Sequence, residues 1–207
     1  MWFWLAIISG SISTIKDILN RLILKEKGDS LAFAFLCQAF PVVFTLPFFI
    51  FGLKFPPAIF PYLLLIAIGV VDTLSIFLIM ESFKYLEVSL RTIVYQLRLF
   101  WVLILSVIIL KESLNLAKIM GIGLIFAGIT LAVFKKRRVS WFQKIISRIL
   151  GRKDRKAKGF FVTILASFLT AFEMIGVKHL LGHFSVSFVI FGALVVSSWF
   201  YFYWRLI

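Results

Sequence analysis

The chain alternates between long apolar segments and short polar ones. Each apolar segment has about twenty residues, the length that an α-helix needs to cross the hydrocarbon core of a bilayer. The pattern therefore predicts an all-α membrane protein, a multi-span helix bundle. The seven predicted spans are 2–24, 31–53, 59–83, 89–110, 114–134, 159–181 and 184–204. Most connections are short, so consecutive helices should pack antiparallel.

Composition supports a membrane protein and changes the interpretation of the charge. Of the 207 residues, 62% are hydrophobic, and a soluble domain cannot bury that much apolar surface. The net charge of +14 would suggest nucleic-acid binding in a soluble chain. Here eleven of the 23 basic residues lie between Lys135 and Lys158, beside predicted spans. Such charge attracts anionic lipid, so we expect membrane lipids, and no nucleic acid, as partners of this segment.

The basic segment 135–158 has its own pattern. Its apolar residues recur at helical spacing, with basic residues on the opposite face. The apolar set is Trp141, Phe142, Ile145, Ile146, Ile149 and Leu150. This spacing predicts a short amphipathic helix lying in the membrane interface. A solvated basic linker is the alternative.

The last two predicted spans resemble the first two in sequence. Residues 7–13 align with 164–170, and 29–33 align with 184–188. Five spans separate the copies, and an odd number inverts the second copy, as in many secondary transporters. We therefore predict a five-helix repeat at 1–134, the linker at 135–158, and the first two helices of a second, truncated repeat at 159–207. On this interpretation the sequence is a fragment of a ten-helix protein.

Four charged residues are predicted to lie at similar depth inside the membrane, where ionisable groups are costly and commonly functional. They are Lys16, Asp72, Arg98 and Glu173. One interpretation is a structural salt bridge, either Asp72–Arg98 or Lys16–Asp72. The other is a polar cavity that binds a small-molecule substrate and carries a coupled proton on Asp72 or Glu173.

Two neighbours of Arg98 extend the candidate substrate-binding set. Tyr95 lies three residues before Arg98 and shares its helix face, and Gln96 lies on another face. A guanidinium group beside a phenol suits a carboxylate, a phosphate or a sugar hydroxyl. Glu87 and Arg91, near the end of the same span, have the i, i+4 spacing typical of a solvated surface pair.

Other chemistry has little support in the sequence. Cys37 is the only cysteine, which excludes an intramolecular disulfide. His179 and His183 lack further ligands at metal spacing, so we expect no metal site and no cofactor. There is no phosphate-binding G-x-x-x-x-G-K loop and no nucleophile–base pair, so we do not expect an enzyme.

Two helix motifs resemble the drug/metabolite transporter superfamily, in particular its EamA-type ten-helix carriers. They are Leu110-Lys111-Glu112-Ser113-Leu114 at a helix end and Gly121-x-x-Leu124-Ile125-x-x-Gly128 in the next helix. The segment Tyr95-Gln96-Leu97-Arg98 is similar to a Tyr-Gln-Leu-Lys segment of the nucleotide-sugar branch, where the lysine lines the cavity. Many relatives have a proline where Leu99 stands here, which would change the local kink.

The resemblance implies a secondary transporter working by alternating access. Its substrate would be a small polar metabolite such as an amino acid, a nucleotide sugar or a drug-like compound. We expect a multi-pass protein of the cell (inner) membrane, with a homodimer as one option. The alternative is a non-transporting assembly or scaffold protein of the membrane, or a truncated and inactive carrier.

Overall fold

The structure, a computed structural model, describes residues 2–25, 28–51, 59–111 and 155–206, with scattered positions between 113 and 128. Those residues form helices and no strands, which confirms the all-α multi-span bundle. We number the helices α1 (Trp2–Lys25), α2 (Ser30–Phe51), α3 (Phe60–Tyr85), α4 (Val88–Tyr95), α5 (Leu97–Leu110), α6 (Arg155–Leu180) and α7 (Val186–Leu206).

Five helical stretches in the described residues are long and apolar enough to cross a membrane. They are Ser30–Ile50, Phe60–Tyr85, Val88–Leu110, Ala157–Leu180 and Val186–Trp204. Each coincides with a predicted span to within a few residues. Helix α1, which carries four charged residues, is not among the five. The predicted span 114–134 and the linker 135–158 lie largely outside the described residues, so the count of seven stays a prediction.

Helix α3 lies at the centre of the bundle and contacts α1, α2, α4, α6 and α7. Its most extensive partner is α6, which also packs on α4 and α5. Helix α7 completes the bundle by packing on α2 and α3. The two helices from the C-terminal part of the chain therefore pack directly against those from the N-terminal part.

Three contacts fix the register of α3 against α6. A Cβ atom built on Gly159, at the start of α6, would lie 2.5 Å from Cβ of Tyr85 at the end of α3. Midway along, the hydroxyls of Ser75 and Thr170 are 2.6 Å apart. Near the other end, a Cβ atom on Gly176 would lie 2.5 Å from Cδ1 of Ile68, so only glycine fits there without a shift. The helices are thus antiparallel and closely packed along their length.

Two apolar clusters lie at opposite ends of α3. One contains Leu65 and Ile68 from α3 with Leu180, Phe184, Phe188 and Val189. The other contains Met80 and Phe83 from α3 with Leu24, Ala34 and Tyr201. Between them α3 buries three polar residues, Asp72, Thr73 and Ser75. Apolar packing at both ends thus encloses a polar level in the middle of the bundle.

The span Val88–Leu110 is interrupted at Gln96, where α4 ends and α5 begins. The Gln96 amide donates to the carbonyls of both Thr92 and Ile93, and the Leu99 amide donates to the carbonyl of Gln96, three residues earlier. The interruption is therefore a tightened helical turn. This turn forms with leucine at position 99, where many relatives have a proline.

Candidate functional site

Asp72 is buried at the polar level and is held by residues from two other helices. Its side chain is 7% exposed. Gln38 of α2 donates from its Nε2 atom to Asp72 Oδ2, and the same Nε2 lies 3.0 Å from Ser197 Oγ of α7. One residue along α3, the Thr73 carbonyl accepts a 2.5 Å hydrogen bond from the Tyr201 hydroxyl. Asp72 thus joins α2, α3 and α7 through neutral hydrogen-bond partners.

Three hydroxyl groups form a chain across α4, α6 and α3. Thr170 Oγ1 lies 3.1 Å from the Tyr95 hydroxyl and 2.6 Å from Ser75 Oγ. Thr170 spends its single hydroxyl proton on the Ala166 carbonyl, at 2.9 Å. Because a hydroxyl has one donor and two acceptor positions, a Thr170 hydroxyl that donates to Ala166 accepts from both Tyr95 and Ser75. The lone pairs of the Tyr95 and Ser75 oxygens therefore remain able to accept further bonds.

Glu173 faces Asp72 across the α3–α6 contact. The antiparallel register pairs Ser75 with Thr170, so a step of three residues back in α3 and three forward in α6 brings Asp72 opposite Glu173. The two carboxyl groups are close enough to interact electrostatically. Within the described part of the chain neither forms an ion pair, and Glu173 forms no hydrogen bond.

Two arginines share the ring of Tyr95. The guanidinium carbon of Arg98 lies 4.8 Å from the ring centroid and that of Arg91 lies 5.2 Å from it. Cations over an aromatic face are attracted by the ring's negative quadrupole, so Tyr95 partly compensates both charges. The same phenol group that bonds Thr170 therefore also orients the two guanidinium groups.

Arg91 is the more firmly held of the two. It is 3% exposed, and its Nη1 atom lies 3.2 Å from Asp17 Oδ2 of α1. Its Nε atom donates to Ser82 Oγ at 3.0 Å, and its guanidinium carbon lies 3.8 Å above the Phe83 ring. The predicted surface pair with Glu87 is therefore wrong, because Arg91 points into the bundle and pairs with α1.

Several buried polar atoms near this level lack a hydrogen-bond partner in the described residues. They are Asn20 Nδ2, Arg21 Nη1, Arg98 Nε, Trp101 Nε1 and Ser198 Oγ. The first four are N–H donors. Unmade hydrogen bonds of buried groups are costly and are rare in folded proteins, so these four atoms mark a place where an acceptor would be stabilised.

Comparison with known proteins identifies the family. The model of the EamA-like transporter family matches residues 1–134. The chain belongs to this family. No curated protein and no solved structure matches it. As an EamA protein of the drug/metabolite transporter superfamily, the chain is a multi-pass integral membrane protein from a family of transporters rather than enzymes. The division of the chain at 134 and 158, and the inverted second repeat, stay predictions.

Four of the six predicted site residues come together in this EamA protein. Asp72 and Glu173 face each other, and Arg98 stacks on Tyr95, whose hydroxyl leads through Thr170 to Ser75, one turn from Asp72. The two remaining residues, Lys16 and Gln96, lie elsewhere. Lys16 is exposed on α1, and Gln96 is half-buried at the α4–α5 junction.

Neither salt bridge considered from the sequence forms in the described residues. Asp72 bonds Gln38 instead of Lys16 or Arg98, and Arg98 stacks on Tyr95. The reason is geometric, because equal depth in the membrane does not make two side chains face each other. Depth alone was the basis for pairing them.

Sequence reasoning missed several members of the site. Gln38 was detectable, because it is a polar residue at mid-depth in an otherwise apolar span. The role of Asp17 was not, because it depends on the rotation of α1 that points it at Arg91. Thr170 and Ser197 are small hydroxyl residues of a kind that occurs throughout membrane helices, so nothing in the sequence distinguishes them. Among the described residues no cluster of three potential metal ligands occurs.

Proposed function

We propose that this EamA-family protein is a proton-coupled secondary transporter that moves a small polar metabolite by alternating access. The observation that carries the proposal is the hydroxyl chain Tyr95–Thr170–Ser75, which runs from the arginine-bearing face of α4 and α5 to within one helical turn of the Asp72 and Glu173 level. A membrane protein gains little stability from keeping so many polar groups at the bundle centre, which favours a functional role.

The substrate-binding role falls to Tyr95 and Arg98. The Tyr95 oxygen, 3.1 Å from Thr170 Oγ1, can accept a further hydrogen bond, and the Arg98 guanidinium forms no ion pair in the described residues. Together they offer an acceptor and several donors to one polar ligand. Gln96, at the end of α4, would supply a further amide when that turn rearranges.

The proton-carrying role falls to Asp72 and Glu173. Two carboxylates facing each other in a medium of low dielectric constant repel strongly when both are ionised, so the pair favours a state in which one of the two carries a proton. Loss of that proton puts a second negative charge between α3 and α6 and favours their separation. Binding and release of a proton would thereby bias the bundle between its two openings.

The test is flux in proteoliposomes that contain the purified protein and a trapped pH indicator. Candidate metabolites are added outside under an imposed pH gradient, and proton movement that depends on the metabolite is measured. Asp72→Asn and Glu173→Gln should abolish proton movement and leave exchange of labelled substrate between the two sides measurable. Glu87→Gln makes the same chemical change at an exposed site on the α3–α4 connection and should behave as wild type.

If proton movement persists unchanged in both Asp72→Asn and Glu173→Gln, the carboxyl pair does not carry the proton. If the wild-type protein moves no metabolite from any class tested, the result supports the second candidate function, that of a non-transporting membrane assembly protein. The observation that favours it is the Gln38–Asp72–Ser197 network, which is internally bonded and joins three helices in the manner of a purely structural core.

A further inference from the structure

The charged groups around Tyr95 and along the adjoining face of α1 are unequal in number. Arg91 and Arg98 both lie over its ring, and Arg21 lies one turn along α1 from Asp17, on the face that meets Arg91. Within the described residues the only carboxylate paired with any of these three arginines is that of Asp17. A guanidinium group stays protonated in proteins, so this excess of positive charge cannot be removed by losing a proton.

The acidic residues of the polar level do not neutralise the excess. Asp72 bonds Gln38, which also contacts Ser197, and Glu173 faces Asp72. Neither forms an ion pair with an arginine in the described part of the chain. The bundle therefore places the carboxyl groups of Asp72 and Glu173 at the contact of α3 with α6, and the guanidinium groups of Arg91 and Arg98 around the ring of Tyr95.

The partnerless atoms near the arginines are all of one kind. Asn20 Nδ2, Arg21 Nη1, Arg98 Nε and Trp101 Nε1 are N–H donors, each buried and each without an acceptor in the described residues. Asn20 is only 3% exposed, so bulk water does not satisfy it. A cationic or donor-rich ligand would leave these atoms unsatisfied, whereas the oxygens of an anion would accept from them.

Arg91 provides a fixed point for such a ligand. Its Nε and Nη1 atoms are used by Ser82 and Asp17, and Phe83 lies 3.8 Å below its guanidinium carbon. An arginine held in this way needs no reordering when it meets an anion. Arg21 and Arg98 have no ion pair of their own in the described residues. Arg21 lies on α1, one turn from the Asp17 that pairs with Arg91, and Arg98 lies on α5, over the same Tyr95 ring as Arg91.

We propose that the metabolite carried by this protein is an anion, whose carboxylate or phosphate group binds Arg91 and Arg98 beside Tyr95 and whose further acceptor oxygens bind Arg21, Asn20 and Trp101. This rests on the proposed transport function and narrows its substrate class. Planar guanidinium groups match the paired oxygens of carboxylate and phosphate, which a single point charge does not. Because Asn20 and Arg91 are buried inside the bundle, the ligand is a soluble anion and not the headgroup of a surrounding lipid.

The test is direct binding to the full-length protein in nanodiscs of phosphatidylcholine. Inorganic phosphate and succinate are the anionic probes, with choline and glycerol as cationic and neutral comparisons at constant ionic strength. We expect saturable thermal stabilisation by at least one anion and none by choline or glycerol. Arg98→Gln and Arg21→Gln should each weaken anion binding at least tenfold, since neither breaks an ion pair of the folded protein. Arg98→Lys should retain part of it.

Lys111→Gln is the matched control, because it removes an exposed positive charge and should leave anion binding unchanged. The proposal is overturned if choline or glycerol binds and the anions do not, while the transport function would stand with another substrate class. It is also overturned if the two arginine variants bind anions as wild type does, or if only added phosphatidylglycerol stabilises the protein. Anion binding lost in both variants, without flux in proteoliposomes, would support the site and refute transport.

Discussion

Removing the carboxylate of Asp17 should destabilise the protein far more than a surface mutation would. In Asp17→Asn, the buried guanidinium of Arg91 loses the anion that lies 3.2 Å from its Nη1 atom. Breaking a buried pair by removing one partner costs roughly 3–5 kcal/mol, since an uncompensated charge stays inside. The Asp17 side chain is 24% exposed, and Arg91 keeps its contacts with Ser82 and Phe83. We therefore expect the lower end, about 3 kcal/mol.

The measurement is the free energy of unfolding in mixed micelles titrated with SDS, followed by tryptophan fluorescence. Glu87→Gln is the informative control, because the i, i+4 spacing in the sequence assigns Glu87 as the partner of Arg91. In the structure Glu87 is exposed and forms no ion pair with Arg91, so its loss should change stability by less than about 0.5 kcal/mol.

A double-mutant cycle separates the pair from its surroundings. In Asp17→Asn with Arg91→Gln the buried charge is gone, so the combined loss should be smaller than the sum of the single losses by about 1–3 kcal/mol. Additive losses, or a cost for Asp17→Asn no larger than that of Glu87→Gln, would refute the burial of this ion pair.

Two further changes probe helix packing and the Asp72 network. In Gly69→Ala the new Cβ would lie 2.7 Å from Cβ of Val196, whose branched side chain has little freedom, so unfolding measurements should show a loss of about 1–3 kcal/mol. Gly10→Ala, with nothing within 4 Å of its Cβ, should leave stability unchanged or raise it, and equal losses at the two sites would contradict this packing. Gln38→Leu takes the amide donor from Asp72, which should cost about 1–3 kcal/mol in the same assay, and an unchanged stability would mean that Asp72 has another donor.

The membrane spans could be predicted closely because they depend on the length of each apolar segment, which can be read directly from the sequence. The predicted span 59–83 is observed as Phe60–Tyr85, and 89–110 as the pair of helices between Val88 and Leu110. Apolar length fixes where a helix enters and leaves the bilayer. The depth of Asp72 and Glu173 follows from it, and both indeed lie at the same polar level.

The rotation of each helix about its own axis could not be predicted in this way. Helix α1 is apolar over most of its surface, so the sequence gives no reason for Lys16 to face outward while Asp17 and Asn20 face inward. Rotation is decided by partners distant in the chain, Arg91 for α1 and Thr170 for the end of α4. In a lipid environment both faces of such a helix are equally well solvated, so hydrophobicity does not choose between them.

The tightened turn at Gln96 divides one membrane crossing into two mechanical parts. Helix α4, on one side, is tied to α1 and α3 through the buried Arg91, whereas α5, on the other side, buries no residue completely and leans on α6. A shift of α6 would therefore move α5 about the turn at Gln96, while Arg91 anchors the first part of α4 to α1 and α3. Tyr95 lies next to Gln96, and the guanidinium groups of Arg91 and Arg98 both lie over its ring. A small rotation of α5 about this turn would thus change the distance between the guanidinium group of Arg98, on α5, and that of Arg91, on α4.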